Sequence, residues 1–271
     1  MNKAIIMLGV FIGLTAANAQ KDTNPEHIET AIKELHRVNY PVFKPGERID
    51  YLIHYGMVHA GKATIEVKEK PVKMNGRESY HVIGKGVSTG TFDFFFKVRD
   101  TYQSFIDTEN LHPHLFLRDV NEGGYKKVQN YSFHQEENYV KSNKGDSASI
   151  PTGIQDMISA FYFARTLDLT KYKPGDVIVL YAYVDDELEP VKMRFMGREK
   201  IKAKAGTFKT LKFQPIVQKG RVFKDPEDLI VYVTDDKNKI PVLAKAKILV
   251  GSIKMQLTGF ENLAHPVAQV H

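Results

Sequence analysis

The chain has 271 residues, of which 42% are hydrophobic and 26% are charged. This ordinary globular composition excludes a fibrous or wholly disordered protein, and the length suffices for one large all-β domain or two small ones. The absence of cysteine excludes disulfides, thiolate nucleophiles, thiolate zinc sites and acylated cysteines. The formal net charge of +6 is carried by lysines dispersed along the chain rather than clustered, so we expect no nucleic-acid partner.

The first 19 residues have the features of a secretory signal peptide. Lys3 supplies a short positive region, residues 4–17 are an apolar run, and Ala17-Asn18-Ala19 is a small-x-small cleavage pattern. We therefore expect export to the periplasm with cleavage after Ala19. Because no cysteine follows the run, we expect the protein not to be a lipoprotein, and no later segment is long and apolar enough to predict a transmembrane helix.

Residues 20–39 are predicted to form an N-terminal helix. Asn24 is a suitable N-cap and Pro25 a suitable first helical residue. The apolar residues recur at helical spacing: Ile28, Ala31, Ile32 and Leu35.

From Glu47 the apolar period changes to two, which predicts a meander of antiparallel strands up to about residue 150. Asn75-Gly76 is a strong hairpin signal within it. The aromatic run at 92–96 fits the same period, so three of its rings are predicted to share one face of a strand: Phe92, Phe94 and Phe96.

A second helix is predicted over about 153–165, with Thr152 and Gln155 as a capping box. Strands resume after Pro174-Gly175. The first of these, Val177–Val184, is apolar on both faces, which predicts a central strand covered on both sides. The last residues, 263–271, have no apolar pattern and are predicted to be a flexible tail.

Lys44-Pro45-Gly46 is echoed by Lys173-Pro174-Gly175, and each triplet precedes a run of strands. The echo is explained either by a common turn or by a duplication with halves at 40–150 and 151–262. The fold class predicted from these patterns is all-β with two short helices. The architecture is either an antiparallel open barrel or half-barrel, or a two-sheet sandwich.

No sequence motif indicates a cofactor, and we expect none. Glycine-rich phosphate loops and His-Glu-x-x-His are absent. Gly86-Val87-Ser88-Thr89-Gly90 has the spacing Gly-x-Ser-x-Gly, but the sequence predicts no strand-turn-helix frame around Ser88, so it gives little support to a serine hydrolase. His112-Pro113-His114 places two imidazoles on one strand face, but without a third ligand in the pattern we expect no metal site. The acidic pairs at 185–187 and 235–236 occupy connections between strands, where aspartate commonly makes turns.

Six segments, taken in order, carry a family resemblance: 43–51, 60–63, 100–107, 156–165, 205–208 and 236–241. They contain Phe-Lys-Pro-Gly-Glu-Arg-Ile-Asp-Tyr, Ala-Gly-Lys-Ala, Asp-Thr-Tyr-Gln-Ser-Phe-Ile-Asp, a helix from Asp156 to Arg165, Ala-Gly-Thr-Phe and an Asp-x-x-x-x-Pro element. Together they resemble DUF3108, a family of exported bacterial proteins of unknown function. The resemblance implies a β domain over 40–262 in an envelope protein, and it brings no established catalytic residues.

The main functional hypothesis is a periplasmic, non-catalytic protein that binds a hydrophobic or amphiphilic, lipid-like molecule inside an open barrel. Apolar contact is assigned to Phe92, Phe94, Phe96 and Phe161, and Tyr162 and Arg165 are expected to orient a polar head group. One alternative is a structural or adaptor protein that uses exposed sheet edges to bind an envelope protein partner. Another is a glycan-acting hydrolase with two carboxylates in a cleft.

Overall fold

The computed structural model describes residues 24–216, 223, 225 and 227–270. The predicted signal peptide and its cleavage site lie outside the described residues. Within them, the helices are α1 (Pro25–Lys33), α2 (Gly90–Phe95) and α3 (Met157–Arg165), followed by a 3₁₀ turn at Leu169–Lys171. The strands are β1 (Arg48–Tyr55), β2 (Val58–Val67), β3 (Val72–Met74), β4 (Arg77–Ser88), β5 (Arg99–Asp107), β6 (Pro113–Glu122), β7 (Tyr125–His134), β8 (Tyr139–Ser142), β9 (Ser147–Ser149), β10 (Val177–Val184), β11 (Glu187–Ala203), β12 (Gly206–Pro215), β13 (Leu229–Thr234), β14 (Pro241–Lys247), β15 (Ser252–Glu261) and β16 (Gln269–Val270).

All these strands belong to one antiparallel sheet that does not close. Its order is β10-β11-β12-β13-β14-β15-β1-β2-β4-β5-β6-β7-β8-β9, with β3 paired to β4 and β16 to β12. The first half of the chain therefore runs outward from β1 in one direction, and the second half runs outward from β15 in the other. This open, curled sheet confirms the prediction of an all-β antiparallel barrel-like fold.

The gap between the two ends of the sheet is occupied by residues 150–156 and α3. Gln155 N donates to Tyr181 O (3.1 Å), and Tyr183 N donates to Gln155 O (2.8 Å). These bonds cover the free edge of β10, which would otherwise expose unpaired backbone groups. The chain thus fills the opening of the barrel with its own mid-chain segment.

Helix α3 begins four residues later than the sequence predicts. The predicted capping box of Thr152 and Gln155 is wrong, because Gln155 is engaged in the pairing with β10. The observed capping box is formed by Asp156, which accepts from Ser159 N (2.8 Å), and by Ser159, whose hydroxyl accepts from Asp156 N (2.8 Å). Ser104 of β5 donates to the same carboxylate (2.5 Å), so the start of α3 is fixed to the barrel wall.

Strand β10 lies at one end of the sheet order, so the prediction of a central strand at Val177–Val184 is wrong. Its apolar character on both faces has another cause. Besides pairing with β11, β10 contacts both α1 and α3, and most of its side chains are buried. An edge strand that is covered by helices needs the same composition as a central one.

The two Lys-Pro-Gly turns have the same backbone hydrogen bonds. Gly46 N donates to Val67 O, and Val67 N donates to Glu47 O; Gly175 N donates to Phe195 O, and Phe195 N donates to Asp176 O. Both glycines have positive φ angles, +83° and +102°, which glycine adopts without strain. The turns are therefore locally equivalent, while duplication of whole halves stays a prediction.

The aromatic run at 92–96 is not a strand, which corrects the prediction. Gly90 has a φ of +59°, and the chain turns there into the short helix α2. Asp93 binds Ser88 and Arg99 on the flanking strands and fixes this turn to the sheet. The alternation of phenylalanines imitates a strand period, but the local hydrogen bonds favour a helix.

The tail is also more ordered than the sequence predicts, over the described residues 263–270. Gln269–Val270 forms β16 on the edge of β12. Ala268 N donates to Asp236 Oδ2 (2.7 Å), and Asn238 Nδ2 donates to His265 O (2.9 Å). The tail is held because polar side chains of another loop satisfy its backbone, a long-range effect that apolar periodicity does not reveal.

One buried ion pair joins α3 to both halves of the sheet. The guanidinium of Arg165 binds the carboxylate of Glu47 in two places, at 2.6 and 2.8 Å, and the two side chains are 2% and 0% exposed. Arg165 also donates to Val42 O (2.9 Å) and Asn238 O (2.7 Å). Two charges are buried here at a desolvation cost, which the two bonds between them and the two further bonds of Arg165 to carbonyl groups offset.

We expect Arg165→Met to lower the free energy of unfolding by about 3–5 kcal/mol, because it leaves the Glu47 carboxylate buried and unpaired. Urea unfolding followed by circular dichroism measures this. Arg48→Met is the matched control: Arg48 pairs with Asp50 at the surface, where loss of a pair costs about 1 kcal/mol or less. The double variant Glu47→Leu/Arg165→Met should be more stable than Arg165→Met alone, and equal losses in Arg165→Met and Arg48→Met would contradict the account.

Candidate functional site

An apolar groove lies between α3 and the inner face of the second half of the sheet. Its cavity volume is about 80 Å³, within about 740 Å³ of unfilled space that includes open solvent, so the groove is narrow. The cavity is smaller than the roughly 300–1,000 Å³ of sites that enclose a whole drug-sized ligand, so the groove suits a thin chain rather than a bulky molecule. The lining residues come from α3 and its C-terminal extension (Ala160, Phe161, Ala164, Arg165, Leu167, Leu169), from β10–β13 (Ile178, Leu180, Val191, Met193, Phe213, Pro215, Val231, Val233) and from the connection to β14 (Lys239, Pro241).

The alternation of the strands explains why the groove is apolar. Ile178 and Leu180 of β10 lie two residues apart and therefore share one face, as do Val231 and Val233 of β13. The opposite face of this part of the sheet carries Lys192 and Lys212, which are partly exposed. The groove is thus the part of the barrel interior that α3 does not fill.

The structure brings two of the predicted site residues, Phe161 and Arg165, to this groove. Tyr162 lies on another face of α3, where it is fully buried and packs edge-on against Phe43 at 4.4 Å between ring centroids. Burial raises the pKa of Tyr162 well above its usual value, and the neighbouring Glu47 charge raises it further. The role of Tyr162 and Arg165 in orienting a head group stays a prediction, but the guanidinium of Arg165 already binds protein acceptors.

The phenylalanines of the aromatic run lie elsewhere. Phe92 and Phe96 pack around α2, with 6.2 Å between their ring centroids, and Phe94 and Phe95 are largely exposed on the outside of the barrel. None of the three predicted residues of this run lines the groove. They do not form one site with Phe161 in this structure.

Lys239 is the groove residue that sequence reasoning missed. Its side chain is nearly buried, and its ammonium nitrogen has no hydrogen-bond partner among the described residues. It lies 5.8 Å from the centre of the Tyr40 ring. Burial, followed by the charge of Arg165, lowers the pKa of Lys239. A buried cation without a hydrogen-bonded partner is costly, so an anion placed here would be stabilised.

The loop that carries Lys239 is built around one carboxylate. Asp236 Oδ1 accepts from Thr234 Oγ1, Asn238 N and Lys239 N at 2.8, 2.8 and 3.1 Å. Lys239 takes a positive φ of +49°, an unusual conformation for a residue other than glycine. The Asp-x-x-x-x-Pro element found in the sequence therefore serves to hold this lysine, and it pointed to this loop together with the acidic pair at 235–236.

A second buried group of charges lies in the first half of the barrel. Asp100 and Glu122 share a hydrogen bond and are nearly buried on β5 and β6, with Arg118 beside them. Burial, together with the Asp100 carboxylate, raises the pKa of Glu122 well above its ordinary value. The two carboxyl groups are in contact rather than separated by the 5–10 Å that glycoside cleavage uses, and neither lines the groove.

Within the described part of the chain, no three His, Asp or Glu side chains are grouped so that they could hold a metal ion. His114, one of the two imidazoles in the sequence pair, lies 3.3 Å from Asp107. Among the same described residues, no helix has the length and apolar character needed to cross a membrane.

Comparison with known proteins identifies the family. The profile of a family described as "Protein of unknown function (DUF3108)" matches residues 50–258. No protein with a curated description matches the sequence. Among solved structures, a β-barrel-like DUF1849 protein from Brucella abortus is similar with a TM-score of 0.51 and 9% identity, covering 81% of this chain and 98% of that one.

Two further structures are more distant. The hypothetical protein CT021 from Chlamydia trachomatis has a TM-score of 0.38 and 7% identity, covering 84% of this chain and 93% of that one. A Bacteroides fragilis protein whose name suggests export and a YmcC-like fold has a TM-score of 0.30 and 10% identity, covering 81% and 98%. At these identities the Brucella protein supports the barrel-like fold alone.

The acid pair gives a pH-dependent prediction. Because the folded-state pKa of Glu122 is raised, the folded chain holds a proton that the unfolded chain releases, and this contribution to stability is lost as pH rises. Glu122→Gln removes the titrating group. The free energy of unfolding of this variant, compared with that of wild type, should therefore increase from pH ~5 to pH ~8, by at most about 1.4 kcal/mol per pH unit. Urea unfolding at several pH values measures it. Glu137→Gln, at a largely exposed side chain, should leave the pH dependence of the free energy of unfolding as in wild type. If Glu122→Gln also shows the pH dependence of wild type, Glu122 does not titrate with a raised pKa.

Proposed function

Because the chain belongs to the DUF3108 family, whose description assigns no activity, we propose a function from the groove: the protein binds and carries an amphiphilic, lipid-like molecule in the cell envelope. The observation that carries this proposal is the narrow apolar space between α3 and β10–β14. The predicted signal peptide supports a periplasmic location for the carrier.

The shape and lining of the groove favour an alkyl chain. Apolar walls on the sheet side and on α3 would remove a chain from water on both sides, at a gain of roughly 0.8 kcal/mol for each buried methylene. A narrow space suits an extended chain better than a bulky ring system. Phe161, which lines the groove, would supply aromatic contact along this path.

The buried lysine favours an acidic head group. Arg165 makes four hydrogen bonds, two to Glu47 and two to backbone carbonyls, and the Glu47 carboxylate already balances its charge. Lys239 belongs to the same groove lining and has no hydrogen-bond partner for its ammonium group. A carboxylate or phosphate that reaches this amine would make a charge-assisted bond in surroundings of low dielectric constant. The proposed ligand is therefore an anionic amphiphile with a single extended chain in the groove.

Filling the groove should reduce binding. Ala164 lies on α3 in the lining, and we expect Ala164→Phe to weaken the binding of cis-parinaric acid by about tenfold or more, because the new ring occupies the space of the chain. The fluorescence of this fatty acid on titration measures its dissociation constant.

The matched control is Val179→Phe. Val179 lies on β10 between Ile178 and Leu180, so its side chain is on the strand face away from the groove. This variant should bind the probe as wild type does. If wild type binds no cis-parinaric acid, or if both variants bind it equally well, the proposal that the groove holds a ligand is contradicted.

Removing the charge of Lys239 tests the head group. Lys239→Met keeps the length and apolar body of the side chain, and we expect it to weaken binding of cis-parinaric acid by about tenfold, since each tenfold corresponds to 1.4 kcal/mol. Binding of cis-parinaric methyl ester, which has no charge, should not change. Lys237→Met, at an exposed residue of the same loop, is the control. An equal loss for acid and ester would show that Lys239 acts through packing rather than charge.

A further inference from the structure

Six of the ten large apolar side chains that are exposed among the described residues lie at one end of the barrel, including the three most exposed. This end is formed by the β1–β2 turn, the β14–β15 turn and α2 with its flanking residues. We call the exposed apolar residues on these three segments the apolar rim: Met57, Val58, Phe94, Phe95, Leu249 and Val250. Met57 is 98% exposed, Phe94 87% and Phe95 78%, values that a side chain with a role in the core does not show.

Tyr55 holds the three segments of the apolar rim side by side. Its hydroxyl donates to Val250 O (2.7 Å), and its ring lies 6.0 Å from that of Phe92 in α2. Gly56 N donates to Ser252 O (2.8 Å), which joins the two turns directly. Gly251 has a φ of +85°, and a Cβ there would lie 3.0 Å from the Tyr55 hydroxyl, so glycine is required by conformation and by space. These contacts join the two turns and α2, so the apolar rim is one continuous surface.

The outer face of the sheet next to the apolar rim is basic. On the strands that lead to it, Lys254 pairs in register with Lys245 on one side and, on the other, with the buried His54, whose pKa is lowered by burial. Lys62 and Lys247 are exposed on the neighbouring strands. In the described pairings of these five residues, none is opposite an aspartate or glutamate. The nearest carboxylate on α2, Asp93, is already bound to Arg99.

We propose that the apolar rim docks the protein on the surface of an anionic phospholipid bilayer. The apolar side chains are at the tips of turns and on a short helix, where they can enter the headgroup region without distorting the sheet. The lysines behind them would then face the lipid phosphates and be attracted to them. The basic face next to the apolar rim complements the negative charge of the lipids, and for this reason we propose a bilayer as the binding partner.

This proposal stands apart from the groove. The apolar rim shares no residue with the groove lining, so docking can be tested in variants that still bind cis-parinaric acid. If both proposals hold, one surface brings the protein to a membrane and another holds the molecule taken from it. Failure of either one leaves the other unaffected.

The absence of tryptophan from the chain allows a direct test on the full protein. Phe94→Trp places a single fluorophore in the apolar rim, and Met196→Trp places one on β11, outside the rim. Vesicles of equal parts phosphatidylglycerol and phosphatidylethanolamine should shift the emission of Phe94→Trp to shorter wavelength and leave that of Met196→Trp unchanged. Neutral phosphatidylcholine vesicles should produce a much smaller shift.

Flotation with the same anionic vesicles gives the energetic test. The double variant Phe94→Ser/Phe95→Ser should bind vesicles about tenfold or more weakly than wild type, while Val177→Ser/Met196→Ser, at exposed apolar residues outside the rim, should bind normally. Absence of wild-type binding would overturn the proposal. Equal binding to neutral and anionic vesicles would also overturn it. If the emission of Phe94→Trp is already blue-shifted without vesicles and light scattering shows a dimer, the apolar rim binds a second copy of the chain and the proposal is overturned.

Discussion

The buried pair of Arg165 and Glu47 is the interaction on which the rest of the fold depends. Glu47 lies at the turn before β1, where the first half of the sheet begins, and Arg165 lies at the end of α3. The remaining donors of Arg165 bind the carbonyls of Val42 and Asn238, so the N-terminal segment and the loop between β13 and β14 are joined at the same point. An open sheet has no closing strand pair to hold its shape, and here α3 and this ion pair perform that role.

The groove is a consequence of the same constraint. Because α3 is fixed at its start by Asp156 and Ser104 and at its end by Arg165, it packs against β5 and β10 and leaves space beside the rest of the second half of the sheet. The loop that presents a carbonyl to Arg165 also places Lys239 in the groove lining. The ammonium group of Lys239 has no hydrogen-bond partner among the described residues. One network therefore supplies both the apolar space and its cation.

Local signals in the sequence were informative where the structure depends on neighbouring residues. Asn24 and Pro25 begin α1 as predicted, and Asn75-Gly76 joins β3 to β4 with positive φ angles at both residues. Period-two alternation located most strands, but it also described the 92–96 run, where a glycine turn and the bonds of Asp93 form a helix instead. Lys239 could not be identified from its neighbours, because its burial results from packing against α3 and Tyr40, which are far away in the chain.

The central claim is that the groove beside α3 holds an anionic amphiphile, and native mass spectrometry of the protein purified from its own envelope tests it most directly. The expected result is an adduct of near one-to-one stoichiometry, which organic extraction releases as an acidic, single-chain lipid. The Ala164→Phe variant should lack this adduct, and the Val179→Phe variant should retain it. An apo mass for the wild-type protein after gentle purification, or an adduct retained equally by both variants, would contradict the claim.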